Sequence, residues 1–327
     1  MQRFLIIQTA FLGDVILMTP VISELNRIYP DSKIDVVVRK GNESLLAQNS
    51  KINKVFIWDK KSKKYSSLYS TIKNIRQYKY DEVITLQRYT NAGLMTYFTK
   101  AKNKVGFDRN SLSWIYHIKV PHSLLEGSHE VERNLRTISH HGAEKRIRPE
   151  LFPSVEDYQK VKPYQQERYF CAAPASVWET KKLPIKKWVE LIQQLISMGN
   201  VYLLGGPEDK TLCDEIIAQT SSLKVQNLCG KLSLLQSAAL MKEATMNFVN
   251  DSGPLHIASA MNAPTRAFFC STIPKFGFGP LADDSKVIEV KEKLECRPCT
   301  YHGRKKCPLQ HYKCGNMLDV SLNNLDL

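Results

Sequence analysis

Short continuous apolar runs alternate along this chain with stretches of helical spacing. RFLIIQT (3–9), KIDVVVR (33–39), KVFIWD (54–59) and DEVITL (81–86) are bounded by polar turns and predict buried strands. Helical patterns such as VILMTPVISELNRIY (15–29) and YSSLYSTIKNIRQY (65–78) lie between them. Strand–helix–strand repeats with strands this apolar predict a mostly parallel sheet covered by helices. A helical stretch from about Glu126 to His141 closes the front half. GAEKRIRPELFPSVEDYQKVKPYQQE (142–167) is charged, carries three prolines and has weak periodicity, so it reads as the connection between a domain at 1–155 and one at 165–327. The rear half repeats the pattern. RYFCAAPA (168–175), NVYLLGG (200–206), LKVQNLCG (223–230), TMNFVND (245–251) and TRAFFC (265–270) predict strands, with helices between them. Ser233 followed by Gln236 marks a capping box at one helix start. The pattern predicts an α/β fold class: two doubly wound parallel-sheet domains facing a central cleft.

Composition narrows the function classes. A length of 327 residues suits two ordinary domains, and 46 Lys+Arg against 32 Asp+Glu leave a net charge of +14. That excess favours anionic partners: nucleic acid, phosphorylated ligands or an acidic membrane surface. No base-reading or RNA-binding module is visible, so no nucleic acid is expected. The greasy stretch IIQTAFLGDVILMTP (6–20) is broken by Asp14 and lacks a small-residue cleavage site, which argues against an export signal and for a cytoplasmic chain. Cys171, Cys213, Cys229 and Cys270 sit in apolar runs and read as reduced core residues.

Candidate chemistry lies at strand ends. In NDSGPLHIASA (250–260) a strand ends at Asn250-Asp251, Ser252 and Gly253 turn, and a helix starts with Pro254 in its first turn. Free amides and the helix dipole make such a turn an anion site, with Ser252 and His256 at hand; an ordinary Ser/Gly cap explains it equally. PASVWETKKLPIKKW (174–188) offers hydroxyls from Ser176 and Thr180 and charge from Lys181, which suits a diphosphate, although paired lysines are usually a solvated loop. In LLGGPED (203–209), Glu208 follows a Gly-Gly turn, where an acid can take ribose hydroxyls or merely complement a helix start. There is no GxGxxG and no P-loop lysine motif, which disfavours NAD enzymes and P-loop NTPases. Gly13 and Asp14 follow the first strand, where open α/β sheets bind ligands; Asp14 alternatively just caps its helix.

Together, LGD after an N-terminal strand, the Lys181–Pro184 turn, GGPED and DSGPLHIASA resemble the ADP-heptose:lipopolysaccharide heptosyltransferases of glycosyltransferase family 9, over nearly the whole chain. The resemblance implies a GT-B fold of two Rossmann-like domains and inverting, metal-independent heptose transfer from ADP-heptose to lipopolysaccharide core. It implies an N-terminal acceptor domain, a C-terminal nucleotide-sugar domain and a cytoplasmic enzyme peripheral on the inner membrane. It makes Asp14 the general base, supported by the Gly13 turn, and Lys181 the group steadying the leaving diphosphate. Ser176, Thr180, Glu208, Asp251, Ser252, Gly253 and His256 become donor contacts. In this picture Asp14 and the Lys181–Gly253 nest meet across one crevice. The chain departs from the family at Leu183, where tryptophan is usual, and at bulky Phe11 and Leu12. The alternatives are another nucleotide sugar, a nucleotide-sugar epimerase, or a non-catalytic binder of anionic ligands.

Two further stretches stand apart. KKSKKYSSLYSTIKNIRQYKY (60–80) is rich in Lys and Tyr; it reads as a solvated helix with Tyr65 and Tyr69 packed inward, or else as a face for an anionic membrane. CRPCTYHGRKKCPLQHYKC (296–314) brings Cys296, Cys299, Cys307 and Cys314 together with two histidines, a donor set for structural Zn²⁺ or for reduced thiols that clamp a loop.

Overall fold

A computed structural model describes residues 1–144 and 147–327 and divides into two units, 1–123 with 128–152 and 124–127 with 153–327. Lys145 and Arg146, within the expected connecting segment, lie outside the described residues.

The first unit holds six parallel strands: β1 (Arg3–Ile7), β2 (Lys33–Arg39), β3 (Lys54–Trp58), β4 (Lys79–Thr85), β5 (Lys100–Phe107) and β6 (Ile118–Val120). Their spatial order is β3-β2-β1-β4-β5-β6. The second holds β7 (Tyr169–Ala173), β8 (Asn200–Leu203), β9 (Val225–Asn227), β10 (Met246–Asn250), β11 (Thr265–Phe269) and β12 (Ser285–Glu289), ordered β12-β11-β10-β7-β8-β9. Each is a doubly wound sheet, and two such units are what the GT-B class denotes. In each sheet the connections reverse direction beside the first strand, between β1 and β4 and between β7 and β10. Loops leaving the carboxyl ends there diverge and leave room for a ligand.

Helices α1 (Leu12–Leu17), α2 (Thr19–Ile28), α3 (Lys64–Ile75), α4 (Thr90–Tyr97) and α5 (Glu130–Arg136) belong to the first unit. The second has α6 (Val155–Val161), α7 (Ile185–Leu195), α8 (Lys210–Thr220), α9 (Leu234–Lys242), α10 (Gly253–Met261) and α11 (Lys313–Asn316). The nine strands read from apolar runs are all present. β5, β6 and β12 gave no such signal: β5 carries lysine at 100, 102 and 104, β6 has three residues, and β12 is an edge strand. The expected long helix near Glu126–His141 is only α5 followed by a 3₁₀ turn at Ser139–His141. The helix expected at 15–29 is broken at Met18, beside Pro20. Within the connecting stretch, Ser154 and Asp157 cap each other's backbone N–H groups and start α6.

Candidate functional site

The turn after β1 is held by buried amides. Gln8 accepts the Ala10 N–H at 3.3 Å, and Asn42 donates to the Ala10 carbonyl at 3.1 Å. The chain then enters α1, whose third residue is Asp14. Its Oδ2 accepts the Phe11 N–H at 3.1 Å, so the capping role is real. The side chain is only partly buried. Even so, burial pushes its pKa up to about 6, with a further upward push from the Glu130 charge. The Phe11 N–H and the Arg39 charge pull the other way and lose.

Glu130 is placed there by α5, which docks on the α1 end through Asn134, whose side chain donates to the Leu17 carbonyl at 3.1 Å. Burial would raise Glu130 as well, but hydrogen bonding to His122 and the Arg133 guanidinium hold it down at about 2. It therefore stays a fixed negative charge beside Asp14. Arg39, at the end of β2, lies with its guanidinium carbon 4.8 Å from the centroid of the exposed Phe11 ring. Its Nε is buried without a hydrogen-bond partner. Lys60 is held below the usual lysine range, by burial first and then by Arg39 and Lys64. Arg39, Lys60, Glu130 and His122 were not singled out by sequence, because their roles come from strands and helices far apart in the chain.

In the second unit, the loops after β7 and β10 leave adjacent strands. Asn250 staples them: its side chain accepts the Leu183 N–H at 2.9 Å and donates to the Pro174 carbonyl at 2.7 Å. Lys181 Nζ lies 2.7 Å from Asp251 Oδ2, which also takes the Thr272 hydroxyl at 2.6 Å. Ser252 is the N-cap of α10, and Gly253 and Pro254 are its first residues. Lys181, Asp251, Ser252 and Gly253 are thus brought together within one unit. Ser176 is part-exposed on the same loop. His256 is buried one turn into α10, with its ring against Phe278. Glu208, exposed after β8, folds over Gly206, where a Cβ would come within 2.6 Å of its Oε2. The neighbouring Asp209 caps the turn by accepting the Gly206 N–H at 2.9 Å.

Thr180 is committed elsewhere. Buried, its Oγ1 accepts the Arg304 N–H at 2.7 Å and the Ser271 hydroxyl at 3.0 Å. This anchors the lysine loop to the C-terminal cysteine-rich segment.

The model of glycosyltransferase family 9 (heptosyltransferase) matches residues 68–313. The chain belongs to this family. It is a glycosyltransferase. It is 30% identical over 292 residues to lipopolysaccharide heptosyltransferase 3 of Escherichia coli, covering 80% of this chain and 82% of that one. Its fold is similar to that of a family 9 glycosyltransferase from Veillonella parvula (TM-score 0.79, 19% identity, 88% and 85% of the two chains). It is also similar to that of E. coli heptosyltransferase WaaC with ADP (TM-score 0.74, 21% identity, 88% and 92%). No helix among the described residues is long and apolar enough to cross a membrane.

Against this family background, two expectations for the glycosyltransferase need correcting. Tyr65 and Tyr69 do not pack inward: both are over 70% exposed, while Leu68, Thr71 and Ile75 face the core. Cys296, Cys299, Cys307 and Cys314 do line one cavity of about 220 Å³ with His311. They are not gathered at metal-binding spacing, however. Among the described residues the one cluster at such spacing is Glu82, His140 and His141. Burial, with their neighbouring thiols, raises the Cys299 thiol and pushes Cys314 up to about 12. The expected zinc site is not supported.

The segment is nevertheless a loop clamp. Tyr312 donates its hydroxyl to the Lys182 carbonyl, and Gly303 packs on the lysine loop. Gly303 has φ +84°, and a Cβ there would sit 3.0 Å from Lys181 Cγ and 3.1 Å from Trp178 Cβ. Gly303→Ala is therefore expected to raise the donor KM several-fold and cost about 1 kcal/mol of stability. Steady-state kinetics and a melting curve check this; an unchanged KM would show that the clamp does not position Lys181.

Proposed function

We propose that this chain transfers heptose from ADP-heptose to the core of lipopolysaccharide, with inversion at the anomeric carbon and without a metal. The observation that carries the reading is Asp14: a carboxylate at the carboxyl end of β1 whose pKa is raised to about 6, in a chain of the heptosyltransferase family. A base with that value is ionised at neutral pH yet accepts a proton readily. The acceptor hydroxyl oxygen attacks the sugar carbon opposite the diphosphate while its proton passes to Asp14. The glycosidic electron pair leaves with ADP. Lys181 and the Gly253 N–H at the start of α10 offset the charge that develops there. Glu208 takes the ribose hydroxyls; Ser176, Ser252 and His256 complete the donor contacts. Asp251 orients Lys181 rather than touching phosphate, and Thr180 holds the loop.

The acceptor is anionic, and Arg39 with Lys60 offers it a cationic rim beside the base. The exposed Tyr65 and Tyr69 on a lysine-rich helix suit a peripheral enzyme at an acidic cytoplasmic membrane face.

The test is a thermal-shift panel of ADP, UDP, GDP and their sugars, followed by transfer from ADP-heptose to defined core acceptors with and without EDTA. A shift confined to adenine diphosphates, transfer that survives EDTA and an inverted product anomer are expected. Preference for another nucleotide, or donor turnover without acceptor, would overturn the reading.

A further inference from the structure

At the middle of β4, Glu82 lies opposite Phe4, near the start of β1, and Asn103 of β5, whereas Asp14 follows the other end of β1. Its carboxylate is 4% exposed. One oxygen faces His140 Nε2 at 3.0 Å and takes the Asn103 amide at 2.6 Å; the other faces His141 Nε2 at 3.0 Å. The two histidines come from the 3₁₀ turn at Ser139–His141, which Gly142 ends at φ +83°. Their rings are 4.0 Å apart, so both imidazoles are turned on a single carboxylate.

We propose that Glu82, His140 and His141 form a binding site for a divalent transition-metal ion of the zinc class. Their three ligand atoms lie within 4.8 Å of one another. Two imidazole nitrogens and one carboxylate suit Zn²⁺, Co²⁺ or Ni²⁺ and leave further positions to water. The outer partners are built as metal sites require. His141 Nδ1 is 3.0 Å from the Tyr29 hydroxyl, which can accept Nδ1–H and so turn the Nε2 lone pair toward an ion. The ring is wedged edge-on against both Phe4 and Tyr29, and Asn103 fixes the carboxylate. The side chains hydrogen-bonded to the Glu82 carboxylate are these two histidines and Asn103. A dication would neutralise the buried carboxylate and leave both imidazoles neutral. The site lies away from the reaction machinery, so its role is to tie the His140–His141 turn to the sheet.

The test uses the untagged full chain, stripped with EDTA and titrated with Zn²⁺ by calorimetry and with Co²⁺ by absorption. One equivalent bound, a Co²⁺ spectrum without thiolate charge transfer, and a melting temperature about 5 °C higher at a hundredfold excess over Kd are expected. His140 is 30% exposed, so His140→Gln should fold; it should lose the shift, while Cys296→Ser keeps it. No binding at micromolar Zn²⁺, or binding with a thiolate signature that survives His140→Gln, would overturn the proposal.

Discussion

Asp14→Asn is expected to lower turnover by about 10²–10⁴-fold, the range for loss of a general base. It is also expected to leave the protein slightly more stable at neutral pH. The folded carboxyl sits at about 6 against an ordinary 3.8, so it is stabilised only when protonated. That stability is complete below about pH 4 and is lost as pH rises through about 6. At pH 7.5 the ionised group is a net cost of roughly 1–2 kcal/mol once its partial exposure is allowed for. Asparagine carries no charge and can still accept the Phe11 N–H. Its melting temperature should therefore rise by about 2–4 °C. In the wild type, the rate should fall on the acid side with a midpoint near the same value of about 6. Near-normal turnover in the asparagine variant would reduce Asp14 to a helix cap.

Lys181→Met is expected to lower kcat/KM by about 10²–10³-fold, as when a group that offsets transition-state charge is removed. It also strands Asp251, whose side chain is 6% exposed and would keep only the Thr272 hydroxyl. An uncompensated buried charge of this kind destabilises by about 3 kcal/mol. The single variant thus confounds a chemical loss with a folding loss. Adding Asp251→Asn separates them: the double variant should recover its melting temperature and stay inactive. If it recovers activity as well, the ion pair is scaffolding and the diphosphate is held by other groups.

Legibility in the sequence followed whether a signal was local. β2 is a run of valines that can only be buried, and both it and DSGPLHIASA are legible because strand end, turn and helix start are consecutive in the chain. β5 was missed because its lysines alternate along a strand whose pairing partners, not its own composition, make it part of the sheet. Tyr65 and Tyr69 were misjudged because helical spacing gives a face but not which face meets the core; Leu68, Thr71 and Ile75 took it.

The sequence by itself determined the two α/β halves, the strand-end positions of Asp14, Lys181 and Gly253, and the basic balance of the chain. Only the tertiary structure decided what surrounds them. Strand order put β7 beside β10 and so joined Lys181 to Asp251. The docking of α5 set the Glu130 charge next to Asp14, and the C-terminal segment claimed the Thr180 hydroxyl. Pairing of this kind depends on burial and on distances between residues remote in the chain. Those quantities exist only after the sheet has ordered its strands.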